Sequence, residues 1–394
     1  MHRREFAGLL AGILAVAALT SAASAQTVQG VTKDEILIGM HTDLSGVAAS
    51  YGVSSSNAIR MRIEEVNQAG GIHGRKLRLI VEDAGYQVPR AVQAGNKLIK
   101  RDRVFLMVGN LGTPMNNAVL GEQIAANIPN MFPITAAKQM TEPFHQLKFG
   151  GLGASYYDHI RSGVKWMVEQ KGKKRVCAMY QDTDFGKEVF QGIQDQLKAM
   201  NMTLVESVGH KPTDQDFTAQ ITRLRAANCD LIGAGVIIRD AIIPYATMRK
   251  MGWTNVDFLA SVAAFDQIVA SAQGNATEGM YVMGLTEMPY RDTARPEVAA
   301  WWDKYRQKYN QDPAIGAVYG YIGMDLVVIG LDRAGRDLTV DKFIKAMESI
   351  DGYRDIFGGP VQSFGPRKRI GSDAAFVAQV RGGRFVRASE NIIY

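Results

Sequence analysis

The sequence predicts an α/β fold with two Rossmann-like lobes, each a mostly parallel sheet flanked by helices. From Glu35 onward, short β-forming runs alternate with helical patterns, which is typical of parallel strands connected by helices. Several runs are apolar at consecutive positions, as strands covered on both faces must be. The length of 394 residues suits two such units, at about 150 residues per domain.

Eight segments are predicted as strands because they are short, apolar and bounded by polar or glycine-containing loops. In chain order they are 36–40, 77–82, 104–108, 175–180, 203–208, 230–236, 258–260 and 280–285. Between the first two, Ile59, Ile63 and Val66 form the apolar stripe of a helix. Gly70 and Gly71 end that helix, because glycine tolerates left-handed backbone.

The alternation pauses at residues 147–154, where three glycines separate two series of strand–helix units. The second series runs from Ser155 to about Gly279. Since there is no long polar linker, we expect short, strand-like crossings between the lobes.

The charge distribution argues against nucleic-acid binding. The chain has 45 Lys and Arg against 39 Asp and Glu, a formal charge of +6, with the two signs interspersed. The longest basic clusters, 171–175 and 367–369, are short and lack interleaved aromatic residues. A phosphate track needs a continuous basic face, so no nucleic-acid partner is expected.

The N-terminal segment has the pattern of a secretory signal. Arg3 and Arg4 precede an apolar run at 6–19, and small residues at 23–25 precede a cleavage site at Gln26. The arginine pair leaves both general and twin-arginine export open. No cysteine stands near the cleavage site, which argues against a lipid anchor, and no other segment is expected to span a membrane. We therefore expect residues 1–25 to be removed and the mature protein to be periplasmic.

The two cysteines, Cys177 and Cys229, lie in or beside apolar strand segments. An oxidising compartment permits a disulfide, but a bridge between strands requires a suitable register. The sequence favours two packed thiols and leaves a bridge as the alternative.

Ligands of open parallel sheets bind at the carboxyl ends of strands, where loops lead into helices. The loop after the third strand contains Asn110, Leu111, Gly112 and Thr113. Thr113 is predicted to be the N-cap of the next helix, with Pro114 at its first position. Backbone N–H groups at such a helix start suit a carboxylate, while a capping role alone is the alternative.

No enzyme signature is present. The histidines, at 2, 41, 73, 145, 159 and 210, show no metal-ligand spacing, and no P-loop or G-x-S-x-G motif occurs. Gly151-Leu152-Gly153 is not completed to a dinucleotide motif. We expect no metal, no cofactor and no catalytic residue, although a triad of distant residues stays open.

Four motifs occur in an order and spacing that resemble those of a known family. They are I-x-I-G followed by D-L-S-G-x-x-x-x-Y-G (36–52), N-Q-A-G-G-I-H-G-R-K-L (67–77), D-F-G-K-E (184–188) and D-Q-D-F-T-A-Q-I-T-R-L (214–224). Together they resemble the periplasmic solute-binding proteins of branched-chain amino-acid ABC uptake systems, the leucine-binding type of the type I periplasmic binding protein fold. The resemblance covers nearly all of the mature chain.

The resemblance implies two lobes joined by a three-crossing hinge, with one ligand clamped between them on closure. We place lobe 1 at 33–151 with 284–356, and lobe 2 at 152–283 with 357–394. A monomer that docks transiently with an inner-membrane ABC permease is implied.

The resemblance also implies roles for lobe 1 residues. Tyr51 corresponds to the aromatic residue that leans over the ligand, and Thr113 to the hydroxyl residue that holds its carboxylate. Ala136 and Ala137 correspond to positions that offer backbone groups. Lys138 departs from the family, which commonly has a hydroxyl residue there; it is either a charge partner for an anion or a solvated surface lysine.

On lobe 2, Phe185 and Tyr156 correspond to ligand-facing aromatic positions. The informative departure is Val262, where amino-acid binders carry an acidic residue for the ligand's ammonium group; Ile237 likewise stands where Tyr is common. A buried ammonium without a carboxylate is unfavourable by several kcal/mol, so a carboxylate with an apolar or aromatic body is favoured. The alternative is an alignment shifted by one residue, in which Asp266 or another acid serves.

The sequence therefore predicts a non-enzymatic solute-binding component of an ABC uptake system, whose ligand is a small carboxylate, an aromatic acid being favoured. Binding of leucine, isoleucine, valine or another amino acid is one alternative. A sensory binding protein and a secreted α/β enzyme are the others.

Overall fold

The computed structural model describes residues 28–393 and has the predicted α/β architecture. The segment expected to be a signal peptide lies outside the described residues. All eight predicted strands are present, with ends shifted by a few residues.

The lobe 1 sheet consists of β1 (Glu35–Thr42), β2 (Lys76–Asp83), β3 (Leu106–Val108), β4 (Asn130–Met131) and β5 (Lys148–Phe149). The strand order is β2-β1-β3-β4-β5, and all four strand pairs are parallel. The carboxyl ends of its strands therefore meet at one edge, which faces lobe 2. β4 and β5 have two residues each and were not predicted.

The lobe 2 sheet consists of β6 (Val176–Gln181), β7 (Ser207–His210), β8 (Leu231–Gly235), β9 (Asp257–Ala260), β10 (Tyr281–Gly284), β11 (Ala374–Arg381), β12 (Arg384–Arg387) and β13 (Ile392–Ile393). The order is β12-β11-β10-β9-β8-β6-β7, with β13 beside β11. The β6–β10 pairs are parallel, whereas β11 pairs antiparallel with β10, β12 and β13. The β11–β12 hairpin was not predicted, although Gly382 and Gly383, both at positive φ, are a strong hairpin-turn signal.

Eleven helices of the described chain flank these sheets. They are α1 (Ala49–Gln68), α2 (Val88–Asn96), α3 (Thr113–Ala125), α4 (Tyr156–Lys171), α5 (Asp184–Ala199), α6 (Thr218–Ala226), α7 (Ile238–Lys250), α8 (Gln267–Ala270), α9 (Pro296–Tyr309), α10 (Ile315–Ala334) and α11 (Val340–Glu348). The predicted helix with the stripe at Ile59, Ile63 and Val66 is α1, and Gly70 and Gly71 follow it at positive φ, as expected.

The close packing of α1 against α10 depends on glycine. A Cβ atom on Gly320 would lie 2.5 Å from the Ser55 carbonyl oxygen, and one on Gly316 would lie 2.5 Å from the Ser54 hydroxyl. Because both positions lack a side chain, the two backbones can approach closely. This contact brings Tyr319 of α10 to the edge where Tyr51 begins α1.

The chain passes between the two sheets three times: between β5 and α4, between β10 and α9, and between α11 and β11. The first and third passages are joined by hydrogen bonds, from the Gly150 N–H to the Arg369 carbonyl (2.8 Å) and from the Gln362 amide to the Leu152 carbonyl (2.8 Å). Three such passages form the expected hinge. The lobe boundaries given above remain predictions.

We expected no segment after the signal to be apolar enough to span a membrane. Judged by length and composition alone, this expectation is wrong. α10 is 20 residues long and apolar enough to do so. Most of it is buried inside the protein, against α1 and α11. Its hydrophobicity is thus explained by core packing.

The expectation of two free thiols is also wrong, since Cys177 and Cys229 form a disulfide with their Cα atoms 5.9 Å apart. Cys177 lies on β6 and Cys229 just before β8, its parallel neighbour; Cys177 stands opposite Ile232. This register brings the cysteines within bridging distance, and it could not be derived from the sequence.

Replacing both cysteines, Cys177→Ala with Cys229→Ala, should lower the free energy of unfolding by about 2–4 kcal/mol, because it releases a closed loop in the unfolded chain. The bridged residues are 52 positions apart, which makes that loop long. Urea unfolding monitored by circular dichroism measures the change. An unchanged midpoint and slope would contradict it.

Candidate functional site

A cavity lies between the lobes, at the carboxyl edge of the lobe 1 sheet. Nine of the eleven residues expected at the ligand line it: Tyr51, Leu111, Gly112, Thr113, Ala136, Tyr156, Phe185, Ile237 and Val262. The structure thus brings together positions from the loops after β1, β3, β4, β6, β8 and β9 and from the start of α4. Their role as ligand contacts remains a prediction.

The other two expected residues, Asn110 and Ala137, lie behind the cavity wall. The Asn110 side chain accepts the His41 N–H (3.0 Å) and donates to the Asn130 side chain (3.3 Å). The Ala137 N–H donates to the Thr135 hydroxyl (3.2 Å). Both residues shape the wall from within lobe 1.

The β1–α1 loop positions Tyr51 through the carboxylate of Asp43. This carboxylate accepts N–H groups of Gly46 (2.5 Å) and Ala48 (2.8 Å) and closes a tight turn before α1. A Cβ atom on Gly52 would lie within 2 Å of the Asp43 carbonyl oxygen, so glycine is required there. The D-L-S-G-x-x-x-x-Y-G motif therefore sets the start of α1 and the direction of Tyr51.

Thr113 does not have the predicted capping role. Gly112 is the N-cap of α3, at a φ of 91° that favours glycine, and Thr113 is the first helical residue. The Thr113 hydroxyl instead forms a hydrogen bond with the Thr135 hydroxyl (2.7 Å). The pair lines the cavity at the N-terminus of α3, where the helix dipole favours negative charge.

The lobe 2 residue Tyr156 meets this part of lobe 1. Its backbone N–H donates to the Ala136 carbonyl (2.8 Å). Burial raises the pKa of Tyr156 to about 12, while the nearby Thr135 side chain and Ala136 backbone oppose this rise. Lobe 2 therefore contacts the loop that follows β4 at the edge of the cavity.

Aromatic rings form much of the wall. The rings of Tyr156 and Phe185 pack edge to face with centroids 4.8 Å apart. Phe185 is almost fully buried in the first turn of α5. Tyr51 faces them from lobe 1, donating its hydroxyl to the Phe265 carbonyl (3.2 Å) across the cleft.

Val262 is buried in the wall, and no carboxylate occupies its position. Its N–H donates to Nε2 of His159 (3.3 Å). Burial lowers the pKa of His159 to about 4, so the imidazole is neutral at pH 7 and can accept this bond. The segment carrying Val262 is therefore held by a neutral histidine.

Asp266, the alternative acid, lies outside the lining. Its carboxylate accepts the Ser50 hydroxyl of lobe 1 (2.9 Å) and the Ile268 N–H at the start of α8 (2.9 Å). Burial raises the pKa of Asp266. It stands near enough to raise the pKa of Tyr51 and Tyr319, which do line the cavity.

Lys138 is also outside the lining. Its ammonium lies 3.5 Å from the Glu142 carboxylate and 4.6 Å from the ring centroid of Tyr157. We expected Lys138 to be either a charge partner for an anion or a solvated surface lysine. Its position outside the cavity lining does not match the first of these roles.

Two tyrosines in the cavity wall were missed by sequence reasoning. Tyr86 follows β2, so the rule that ligands bind at the carboxyl ends of strands could have found it. Tyr319 projects from α10, and no local pattern marks it. The Tyr319 hydroxyl is buried and has no hydrogen-bond partner among the described residues. A buried hydroxyl in this state is available to a ligand.

The cavity is uncharged, since no Asp, Glu, Lys, Arg or His is among the described residues that line it. Its polar groups are hydroxyls of Thr and Tyr together with backbone groups. Within residues 28–393, no three His, Cys, Asp or Glu side chains are grouped so that they could hold a metal ion.

The lobes are closed around the cavity. Besides the contacts of Tyr51 and Tyr156, the Asn117 amide donates across the cleft to the Asp184 carboxylate (2.8 Å). The cavity measures about 80 Å³, whereas an apolar cavity that accepts benzene measures about 150 Å³. A ligand with a ring therefore requires the lobes to close less far than they do here.

Two α/β lobes, joined by three crossings and with a cavity between them, define a two-lobed solute-binding protein. The chain belongs to the periplasmic binding protein family, whose model matches residues 35–384. This membership confirms the resemblance to solute-binding proteins of the branched-chain amino-acid ABC type.

Relatives in this family have low sequence identity and high coverage. The Leu/Ile/Val-binding protein of Escherichia coli K12 is 23% identical over 351 residues, 87% of this chain and 89% of the relative. The structure of a branched chain amino acid ABC transporter from Thermus thermophilus with bound valine has a TM-score of 0.83 at 14% identity, covering 92% of this chain and 98% of that one. A fatty acid ABC transporter substrate-binding protein from Thermomonospora curvata has a TM-score of 0.80 at 24% identity, covering 94% and 95%. These structures show the same fold as this chain.

Proposed function

We propose that the protein captures a small carboxylate in the interlobe cavity, closes over it and presents it to an inner-membrane ABC permease, without catalysis. An aromatic acid is the favoured ligand class. The observation that carries this proposal is a closed cavity with carboxylate donors on lobe 1 and no acid to pair with an ammonium group. A periplasmic location and a monomeric state are part of the proposal.

The carboxylate would bind at the N-terminus of α3. Thr113 and Thr135 place two hydroxyls there, and Ala136 of the same cavity wall adds a backbone N–H. Neutral donors at a helix start can hold an anion without a cationic side chain, because the helix dipole adds to their effect.

The aromatic walls support a flat ligand body. Tyr51, Tyr156 and Phe185 offer ring faces and edges on both sides of the cavity, and aromatic side chains stabilise a bound ring by offset or edge-to-face contacts. Ile237 and Val262 make the rest of the lobe 2 wall apolar. The free hydroxyl of Tyr319 would suit a polar substituent on the ring.

A second candidate is an aliphatic α-amino acid. It is supported by relatives named for binding leucine, isoleucine and valine, and by the buried Asp266 close to Tyr51 and Tyr319. For this ligand, Asp266 would have to exchange its bond with Ser50 for one with the ammonium group.

Calorimetry on protein that has been unfolded, stripped of ligand and refolded distinguishes these candidates. We expect 4-hydroxybenzoate or 4-coumarate to bind at least tenfold more tightly than leucine, isoleucine or valine, with octanoate as the aliphatic carboxylate control. Asp266→Asn keeps the α8 cap, so it should change aromatic-acid affinity by less than threefold but strongly weaken an amino acid.

Micromolar leucine binding without detectable aromatic-acid binding would contradict the aromatic assignment. Recovery of a chemically altered ligand after incubation would contradict the non-enzymatic part of the proposal.

Saturating ligand should shift the protein toward the closed state and leave each lobe folded as before, because each lobe has its own sheet and the crossings form a hinge. Small-angle scattering should then show a smaller radius of gyration with ligand. An unchanged radius for a ligand verified by calorimetry would contradict closure.

Thr113→Val should weaken carboxylate binding by about 1.5–3 kcal/mol, because it removes a donor to a charged group and one of the two hydrogen-bond partners of the Thr135 hydroxyl. The matched control is Thr141→Val, whose hydroxyl bonds the Lys138 carbonyl (3.2 Å) outside the cavity and should not affect affinity. Calorimetry with the tightest ligand of the panel measures both. Thr113→Val affinity within twofold of the wild type would exclude Thr113 from the carboxylate site.

A further inference from the structure

Glu188 of α5 lies at the cleft rim, and its carboxylate contacts both lobes. One oxygen, Oε1, accepts the backbone N–H of Lys138 in lobe 1 (3.0 Å) and that of Tyr157 in lobe 2 (3.3 Å), while Oε2 lies 3.2 Å from the same Lys138 nitrogen. The residue is only 9% exposed. Neither the cavity lining nor the resemblance assigns it a role.

We propose that Glu188 is a positioning residue that latches the 136–138 loop of lobe 1 to lobe 2 in the closed state, and that this latch makes closure depend on pH. The inference rests on the proposed function only in requiring an open and a closed state. It does not depend on the ligand.

The latch acts on the loop that carries the proposed carboxylate donors. Lobe 2 holds this loop at two points, at the Ala136 carbonyl through Tyr156 and at the Lys138 N–H through Glu188. These two contacts fix the loop that carries Thr135 and Ala136 relative to lobe 2 in the closed state.

Charged groups of both signs surround this carboxyl group. Lobe 1 presents Lys138, with its partner Glu142, and α4 presents Asp158 together with Tyr156 and Tyr157. The Tyr157 hydroxyl is engaged by Arg161 and Asp195. Lys138 favours the charged form of Glu188 and Asp158 opposes it.

Burial exceeds all these effects and raises the pKa of Glu188 to about 7, although the two N–H donors oppose the rise. Opening removes the Lys138 N–H and admits water, which returns the carboxyl toward its ordinary value of 4.5. A group whose pKa is higher in the closed state binds a proton on closure. The contribution of this protonation to the free energy of closure is therefore full below pH 4.5. It decreases between pH 4.5 and pH 7 and is lost above pH 7.

The test measures closure without any ligand. Ala125→Cys in lobe 1 and Ala219→Cys in lobe 2 are exposed sites for a fluorophore pair, and the native cysteines are bridged and do not react. Single-molecule energy transfer then gives the closed-to-open ratio. We expect that ratio to fall roughly 70-fold between pH 5 and pH 8, from pKa values of about 7 closed and 4.5 open.

Glu188→Gln keeps an oxygen acceptor for both N–H groups but does not titrate. In this variant the ratio should fall far less between pH 5 and pH 8 than in the wild type and should exceed that of the wild type at pH 8. The remaining fall comes from Asp266, the other buried carboxyl group that contacts both lobes. Glu188→Ala should lower the closed fraction at both pH values. The matched control is Glu142→Gln, which removes the ion pair with Lys138 outside the latch and should keep the wild-type pH profile.

A wild-type ratio that does not change with pH would overturn the proposal, and so would a wild-type profile in Glu188→Gln. The pH profile of the wild type is measured without any substitution at Glu188. It therefore tests the proposal even if a Glu188 variant does not fold. Failure of every carboxylate to bind would contradict the proposed function and leave the pH-dependent closure intact.

Discussion

Closing two lobes over a small cavity removes water from every polar group that faces it, and this constraint determines how the cleft is built. A buried polar group without a partner is unfavourable, and a buried charge is more so. The cavity accordingly contains hydroxyls and backbone groups, and several of these are paired, as the Thr113 hydroxyl is with that of Thr135 and the Tyr156 N–H with the Ala136 carbonyl. The Tyr319 hydroxyl is buried and has no partner within the described chain. A buried hydroxyl without a partner is available to a ligand.

Charged groups that span the lobes are placed at the rim. Asp184 and Glu188, both in the first two turns of α5, accept hydrogen bonds from lobe 1, and Asp266 accepts one from Ser50. Acidic residues near a helix N-terminus are favoured by its dipole, so α5 can carry two of them facing the cleft. The proposed ligand contacts are therefore uncharged, while charged hydrogen bonds between the lobes lie outside the cavity lining.

The sequence predicted the parallel strands and the loops of the site because both depend on local patterns. Consecutive apolar residues define covered strands, and the carboxyl-end rule then leads to Thr113 and would have led to Tyr86 after β2. Tyr319 could not be found in this way, since its position depends on how closely α10 approaches α1. The bridge between Cys177 and Cys229 depends on strand register, which is a property of the assembled sheet. The strand predictions thus held where a few neighbouring residues decide the structure, and the disulfide and Tyr319 depend on distant segments. The N-cap at Gly112 and the hairpin at Gly382 and Gly383 are local features that were missed all the same.

The two lobes contribute different kinds of groups to the cavity, and this affects which ligands can close it. A ligand shifts the equilibrium between open and closed states only through interactions that differ between them. The proposed carboxylate donors lie on lobe 1 and are present in both states, so under the proposed function they contribute to affinity more than to closure. The ligand contacts that form only in the closed state would come from lobe 2, where Phe185, Ile237 and Val262 are apolar. For such a ligand, closure would be driven by its apolar body, and a carboxylate too small to reach lobe 2 would occupy the site without closing it.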